Sequence, residues 1–146
     1  MTRITFYILQ DNAPQARELF ACRLAEKAYA KGLALYIHTA GEHASKALDR
    51  LLWTFKQHSF VPHAMENDCP DPQAPILINH TSELSTVAHA HQRSLLINLA
   101  NDIPTFFSAF ERVAEVIDPQ PEHKTQGRAR YRFYRERGYE LENHTV

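Results

Sequence analysis

An alternation of short apolar runs and helical stretches in the first half of the chain constrains the fold most strongly. Residues 4–9 (ITFYIL) and 33–39 (LALYIHT) are rich in β-branched and aromatic residues, which is typical of buried strands. Each run precedes a stretch with helical spacing of its apolar residues; the first stretch closes at Gly32 and the second opens at Glu42. This order is typical of a parallel sheet with helices packed on it. We therefore expect an α/β fold, formed as a single domain over residues 1–146.

The second half of the chain continues the pattern with less regularity. Residues 76–78 and 94–100 are predicted as further buried strands. Residues 65–75 are rich in Pro, Asp and Asn and are predicted as a loop. Residues 81–93 are polar and fit either a loop or a marginal helix.

A further helix is predicted to start at Asp102 and Pro104 and to stop before Asp118. The residues that recur at helical spacing on its core side are Phe106, Phe110, Val113 and Ile117. Beyond Gly138, we expect the chain to fold back on the preceding helix and its last few residues to fray.

Composition and charge exclude several classes of protein. The 146 residues are 44% apolar and 23% charged, as in an ordinary globular domain, and no apolar run approaches the length of a bilayer span. A net charge of −1 argues against a general nucleic-acid coat protein. The N-terminus lacks the cleavage site of a signal peptide, and Cys22 and Cys69 alone give no disulfide framework. We therefore expect a cytoplasmic protein.

Motifs of catalysis and cofactor binding are absent from the sequence. Neither a G-x-G-x-x-G nor a G-x-x-x-x-G-K-[ST] phosphate cradle occurs among four glycines. The pairs His58 and His63, and His89 and His91, lack a C-x-x-C or H-E-x-x-H frame. We expect no cofactor, no metal and no enzymatic activity; a degenerate nucleotide-binding enzyme remains a minor alternative.

Trp53 is a misfit in the second helix, since it lies about 180° from the centre of that helix's apolar stripe. The stripe consists of Ala44, Ala47, Leu48, Leu51, Leu52 and Phe55. Either another part of the chain covers Trp53 or a protein partner does, because Trp is a favoured anchor of interfaces. Phe60, Val61, Pro62 and His63 follow closely and are expected to add to the same exposed apolar patch.

Positive charge is concentrated in residues 121–138 (PEHKTQGRARYRFYRERG), which hold six of the sixteen lysines and arginines. Pro121 suits the first turn of a helix and Gly138 the residue just past its end. Gly127 costs about 1 kcal/mol relative to Ala inside a helix, so we expect the helix to be loose near its start. The residues that share one stripe about 100° wide are Lys124, Arg128, Tyr131, Arg132 and Arg135.

Four cations around an aromatic ring are suited to a ligand that brings a carboxylate together with an apolar group. Arginine binds carboxylates in a bidentate way, and Tyr131 offers a flat apolar face. A solvated basic face at a helix C-terminus would have the same spacing, so both interpretations stay open at this point.

These features together resemble the chi subunit family of bacterial DNA polymerase III over essentially the whole chain. The matching segments are Thr5-Phe6-Tyr7, Leu52-Trp53, the SFVPH run at residues 59–63, Ala74-Pro75, Leu96-Ile97-Asn98-Leu99, and Arg128, Tyr131, Arg132, Tyr134, Gly138 and Leu141. The resemblance implies a Rossmann-like fold with a mostly parallel sheet, helices on both faces and a basic C-terminal helix. It also implies an accessory protein of the clamp-loader complex without enzymatic activity.

Two protein partners follow from the resemblance. One is the psi subunit, which tethers chi to the clamp loader; the implied contacts are Trp53, Phe60, Val61 and Pro62. The other is the acidic, Phe-ended C-terminal tail of single-stranded DNA-binding protein (SSB). The implied tail site consists of Lys124, Arg128, Tyr131, Arg132 and Arg135, with Ile117 as an apolar wall.

The main alternative is direct binding of single-stranded nucleic acid by the basic helix. In that case Tyr131, Phe133 and Tyr134 would stack on bases while the cations contact the phosphates.

Overall fold

The computed structural model describes residues 2–57, 61–65, 74–81 and 93–146. Within these ranges, seven parallel strands form one sheet, and three α-helices and one short 3₁₀ turn connect them. The elements are β1 (Arg3–Ile8), α1 (Ala16–Ala30), β2 (Leu35–His38), α2 (Glu42–Thr54), β3 (His63–Met65), β4 (Ile76–Asn79), β5 (Leu95–Asn98), the 3₁₀ turn (Phe107–Ala109), β6 (Arg112–Ile117), α3 (Pro121–Glu136) and β7 (Glu140–Thr145). The Rossmann-like α/β architecture expected from the sequence is confirmed.

The strands are arranged in the order β3-β4-β2-β5-β6-β1-β7. Alternate residues of each strand face opposite sides of the sheet, so that the core is divided into two layers. On one side, α1 and α2 cover Leu35 and Ile37 of β2. On the other side, α3 packs over Phe6 of β1 and Val113 of β6. We call these sides the α1 face and the α3 face.

Residues 102–117 were expected to form a helix, and this expectation is wrong. Only Phe107–Ala109 form a 3₁₀ turn, and Arg112–Ile117 form β6 between β5 and β1. Val113 and Ile117 are four residues apart, a spacing that places them on one face of a strand as well as of a helix. A central strand is buried on both faces of the sheet, and β-branched residues pack well in such a strand. The β-branched composition of this segment therefore suits its central position.

Two segments near the sheet edges also differ from expectation. Met65, which was assigned to a loop, ends the edge strand β3, and residues 66–73 lie outside the described part of the chain. The residues after Gly138 do not fray: Glu140–Thr145 pair with β1 along its whole length. Gly138 has a φ of 81° and permits the turn from α3 into this strand. The undecided segment 81–93 falls largely on residues 82–92, which are likewise outside the described ranges.

Among the described residues, no helix is both long enough and apolar enough to cross a bilayer.

Candidate functional site

The charged surface of α3 forms as the spacing predicted. We call Lys124, Arg128, Tyr131, Arg132 and Arg135 the basic stripe. Its four cationic side chains are exposed, and none of them forms an ion pair with any described residue. Unpaired exposed cations in a row give a local positive potential on a chain of net charge −1.

Tyr131 is the half-buried member of the basic stripe. Its ring packs edge-on against Phe6 of β1, with 5.2 Å between ring centroids. The contact fixes the ring at the base of the row of cations, where part of it stays accessible. The stripe therefore combines positive charge with a rigid aromatic surface.

A buried polar network mounts α3 on the sheet. Arg130 donates from Nε to Oε1 of Glu115 at 2.9 Å and from Nη1 to the Asn101 carbonyl at 2.8 Å. Tyr134 donates its hydroxyl to Oε2 of Glu115 at 2.7 Å, and the Asn98 amide contacts both carboxylate oxygens at 3.1 and 3.2 Å. We call Asn98, Glu115, Arg130 and Tyr134 the Glu115 network.

The electrostatics of the Glu115 network are dominated by burial. Glu115 and Tyr134 are fully buried, and Arg130 is 5% exposed. Burial raises the pKa of Glu115 above its ordinary value, while the Arg130 guanidinium and the hydrogen bonds oppose that rise. The pKa of Tyr134 is also raised, first by burial and then by the neighbouring Glu115. A carboxyl group with four hydrogen bonds, in a site closed to solvent, orients a helix rather than reacting with a ligand.

Gly127 is placed on the side of α3 that faces the sheet, contrary to the expectation of a loose helix start. The helix runs unbroken from Pro121, and Gly127 is buried against Ile117. A Cβ at position 127 would collide with Cδ1 of Ile117. The glycine therefore permits a close approach of α3 to β6. Ile117 is 6% exposed and lies on a strand instead of a helix, and its place in the wall of a tail site stays a prediction.

The N-terminal end of α3 has a separate anchor at Asp118. Its Oδ1 accepts the backbone N–H of Gln120 at 3.2 Å and lies 2.6 Å from Nδ1 of His123. Its Oδ2 lies 3.8 Å from Nε of Arg17 on α1. Both ends of the basic stripe are thus carried by a helix that is fixed to the sheet.

A second candidate surface surrounds Trp53, which is 50% exposed at the end of α2. Its ring packs on His63, with centroids 4.4 Å apart. The His63 side chain is itself fully buried, with Nδ1 2.7 Å from the Val61 carbonyl oxygen and Nε2 3.1 Å from that of Asp49. We call exposed Trp53 and half-buried Pro62 the Trp53 surface.

Val61 and His63 do not join this surface, and the expectation that they would is wrong. Val61 is only 1% exposed, because it packs in the core of the α1 face with Leu52. The His63 side chain is fully buried beneath the Trp53 ring, whereas Pro62 is half-buried. Phe60 lies outside the described residues.

The described residues include neither a reactive thiol nor a cluster of side chains that could bind a metal ion. The Cys22 thiol is fully buried on α1, and burial raises its pKa to about 12, so it is not a thiolate at neutral pH. In the same ranges, no three His, Cys, Asp or Glu side chains come close enough together to hold a metal ion.

The sequence matches a known family over nearly all of its length. The family model described as DNA polymerase III chi subunit, HolC, matches residues 1–142. The chain belongs to the DNA polymerase III chi subunit family.

Three curated relatives carry the name DNA polymerase III subunit chi and match nearly full length. The relative from Pseudomonas aeruginosa is 40% identical over 146 residues, which cover 100% of this chain and 98% of the relative. Those from Haemophilus influenzae and Escherichia coli are 30% and 29% identical, and the matches cover 95% and 99% of their lengths. Chi is an accessory subunit of the replicative polymerase, so the partners of this family lie within the replication complex.

The structure brings together most of the predicted residues of the chi-like sites but adds the Glu115 network, which the sequence reasoning missed. Arg130 was counted as one more cation of the basic helix. A usable signal was present: Gly127, Arg130 and Tyr134 recur at helical spacing on the flank next to the basic stripe. A small residue, a cation and an aromatic residue on one flank indicate that this flank is the buried side of α3, once a carboxylate that pairs with the cation is known.

Proposed function

We propose that this chi-family chain is a non-catalytic adaptor that links the DNA polymerase III clamp-loader complex to SSB. The basic stripe binds the acidic, Phe-ended C-terminal tail of SSB, and the Trp53 surface binds the psi subunit. Family membership supports a role in the replication complex. The two separate surfaces are what an adaptor requires.

The row of unpaired cations beside Tyr131 is the observation that carries the proposal. Acidic side chains and a terminal carboxylate are complementary to Lys124, Arg128, Arg132 and Arg135, with arginine able to form bidentate contacts. The accessible part of the Tyr131 ring offers an apolar surface for a phenylalanine. Since the Glu115 network holds α3 in place, the backbone that carries these groups is fixed before the ligand arrives.

The physics of such a contact predicts modest and salt-sensitive affinity. A disordered tail loses conformational entropy on binding, so dissociation constants on the order of micromolar are expected. The cations are exposed, and salt screens their attraction beyond about 8–10 Å at physiological ionic strength. A contact of this kind forms and releases readily.

The Trp53 surface supports the second half of the proposal. A half-exposed Trp on a helix end, backed by a buried His63, is a rigid aromatic anchor of the kind found at the centres of interfaces. It is composed of residues from α2 and the segment before β3, far along the sheet from α3, because β3 is an edge strand beyond β4. Val61, being buried, has no part in it.

Direct binding of single-stranded nucleic acid is less well supported by the aromatic residues of α3. Tyr134 has no exposed surface and is bonded to Glu115, so that it offers no face for base stacking. The Phe133 ring packs against Phe107, and the Arg137 guanidinium covers one of its faces at 4.0 Å. Tyr131 and Phe133 are each half-buried, so neither offers a fully open ring for stacking.

The proposal is tested by titrating the protein with a fluorescent acidic peptide that ends in Phe, in low and in high salt. The matched peptide lacks the Phe. We expect Arg128→Ala to weaken binding about tenfold, because a hydrogen bond to a charged group contributes about 1.5–3 kcal/mol and exposure reduces this. Arg50→Ala, at an exposed arginine of α2, is the control and should bind as the wild type does. Equal affinity of both variants, or indifference to the Phe, would refute the tail site, and binding of poly-dT alone would favour the nucleic-acid alternative.

A further inference from the structure

A second positively charged surface, in this case a depression, lies on the α1 face, on the opposite side of the sheet from the basic stripe. It runs between α1 and the strands β1, β6 and β5 and has a volume of about 860 Å³. Because α1 runs antiparallel to these strands, one end of the depression lies near Leu9 and the start of α1. The other end lies near Lys31 and Arg112. We call it the α1 groove.

The α1 groove is apolar toward its first end. The small residues of α1, among them Ala21 and Ala25, pack directly on the sheet and leave bulkier neighbours at the margin. Phe20 and Leu24 are therefore half-buried on the flank of α1 away from α2, and both line the groove together with Tyr7. These side chains form an apolar surface on which an apolar side chain of a ligand can be buried.

The other end of the α1 groove is cationic. Arg23 and Lys27 of α1 and Lys31, the residue just after it, recur at every fourth position, and Arg112 reaches the groove from β6. All four are exposed, and none forms an ion pair within the described part of the chain. The spacing is that of one continuous helix flank.

Three acidic side chains also line the α1 groove, and they do not cancel this charge. Glu26 lies 3.4 Å from Lys56, outside the groove. Asp11 belongs to the apolar end and accepts the backbone N–H of Ala13 at 2.9 Å. Glu111 is the remaining acidic side chain, and it lies near four cations. The net charge of the cationic end is therefore positive.

The dimensions of the α1 groove select an extended ligand. From Phe20 to Lys31, the helix rises about 16 Å at about 1.5 Å per residue. An extended peptide covers this distance in about five residues at about 3.3 Å each. We propose that the α1 groove binds an extended acidic peptide segment of about five residues that carries one bulky apolar side chain. This site is separate from the basic stripe and does not depend on the function proposed for it.

A peptide fits the α1 groove better than a nucleic acid does. Two aromatic residues, Tyr7 and Phe20, line the groove; their rings pack on each other at 5.0 Å, and His144 stacks on Tyr7 at 5.7 Å. Bases require free aromatic faces for sequence-independent stacking. An aliphatic or phenyl side chain instead needs only the half-buried apolar margin that Phe20 and Leu24 provide.

The test uses the full chain carrying Arg128→Ala, so that the basic stripe is weakened, and a fluorescein-labelled peptide of aspartates with one phenylalanine. Binding is measured by anisotropy, and the binding site is mapped by amide chemical shifts of the ¹⁵N-labelled protein. We expect shifts at Leu24 and Leu95 in the groove. The double substitution Lys27→Glu with Lys31→Glu should weaken binding about tenfold, since each exposed ion pair contributes up to about 1 kcal/mol and reversal adds repulsion.

Lys46→Glu, an exposed lysine of α2 outside the groove, is the matched control and should leave binding unchanged. Three results would overturn the proposal. These are an absence of shifts at Leu24 and Leu95 at saturation, an equal loss in the control, and displacement of the peptide by poly-dT. Shifts at Tyr131 report the basic stripe independently, so failure of one site is distinguishable from failure of the other.

Discussion

Arg130 and Arg132 are two residues apart on α3, yet we expect opposite effects from the same substitution at each. Arg130 is 5% exposed and paired with the fully buried Glu115, whereas Arg132 is exposed in the basic stripe. Arg130→Met should destabilise the fold while leaving the stripe's own side chains in place. Arg132→Met should leave the free energy of unfolding unchanged and weaken binding of the acidic tail.

The loss of stability in Arg130→Met depends on the hydrogen bonds that Glu115 retains. Removing one partner of a buried ion pair costs about 3–5 kcal/mol, because the other charge remains buried. In Arg130→Met, Glu115 still accepts hydrogen bonds from Tyr134 at 2.7 Å and Asn98 at 3.1 Å, and methionine fills most of the vacated volume. We therefore expect a loss near the lower limit, about 3 kcal/mol, which lowers the melting temperature by about 10 °C in a domain of this size.

The loss should depend on pH in a defined direction. Arg130 lowers the pKa of Glu115 against the rise caused by burial, so removing Arg130 raises the folded-state pKa further above the unfolded value. A group with a raised folded-state pKa favours the folded state at low pH, and that contribution is lost as the pH rises. The deficit of Arg130→Met relative to the wild type should thus be smaller at about pH 5 than at about pH 8.

Urea unfolding followed by circular dichroism at both pH values measures these differences, and peptide titration measures binding. Arg132→Met serves as the matched control on the same helix. If Arg130→Met and Arg132→Met agreed in unfolding free energy to within about 0.5 kcal/mol, the Glu115 network would not be what mounts α3.

Two further substitutions test other parts of the structure. Trp53→Ala should lower the free energy of unfolding by only about 1 kcal/mol, against about 3–5 kcal/mol for a fully buried Trp. It should abolish binding of psi while binding of the tail persists. A loss of about 3–5 kcal/mol would instead place Trp53 in the core. Burial, assisted by His80, lowers the pKa of His38 from 6.5 to about 4. In this pH range His38 is protonated in the unfolded chain but not in the folded chain. The free energy of unfolding should therefore fall by about 3 kcal/mol as the pH drops from about 6.5 to about 4. His38→Phe should remove that part of the decline in urea midpoints, and an unchanged pH profile would show that His38 titrates normally.

The elements with one clear periodicity could be predicted from the sequence alone. The runs that became β1 and β2, and the helices after them, needed only local patterns. The basic stripe and the position of Trp53 away from the apolar stripe of its helix likewise followed from helical geometry at about 100° per residue. These features depend on one element at a time, which explains why they needed no tertiary information.

The parts that could not be predicted depend on contacts between distant segments. The 102–117 segment has spacings that fit either a helix or a central strand, and only its place between β5 and β1 decides the matter. β7 is polar (ELENHT) and pairs on one side only, so that it lacks the apolar alternation of a buried strand. Arg130 differs from Arg132 only through Glu115, fifteen residues earlier on another element.

The return of the chain into β7 has a kinetic consequence for ligands of α3. The strand before this helix, β6, and the strand after it, β7, both pair with β1, so the helix is tied to the same strand at each end. If α3 binds the proposed tail, the backbone of the helix is already in place, and the ordering on binding falls on the ligand and on the exposed side chains of the stripe. Under these conditions we expect exposed charges to set mainly the rate of encounter, and the aromatic contact to set the lifetime of the complex. Ionic strength alone would then regulate how often the contact forms, without any change in the shape of the protein.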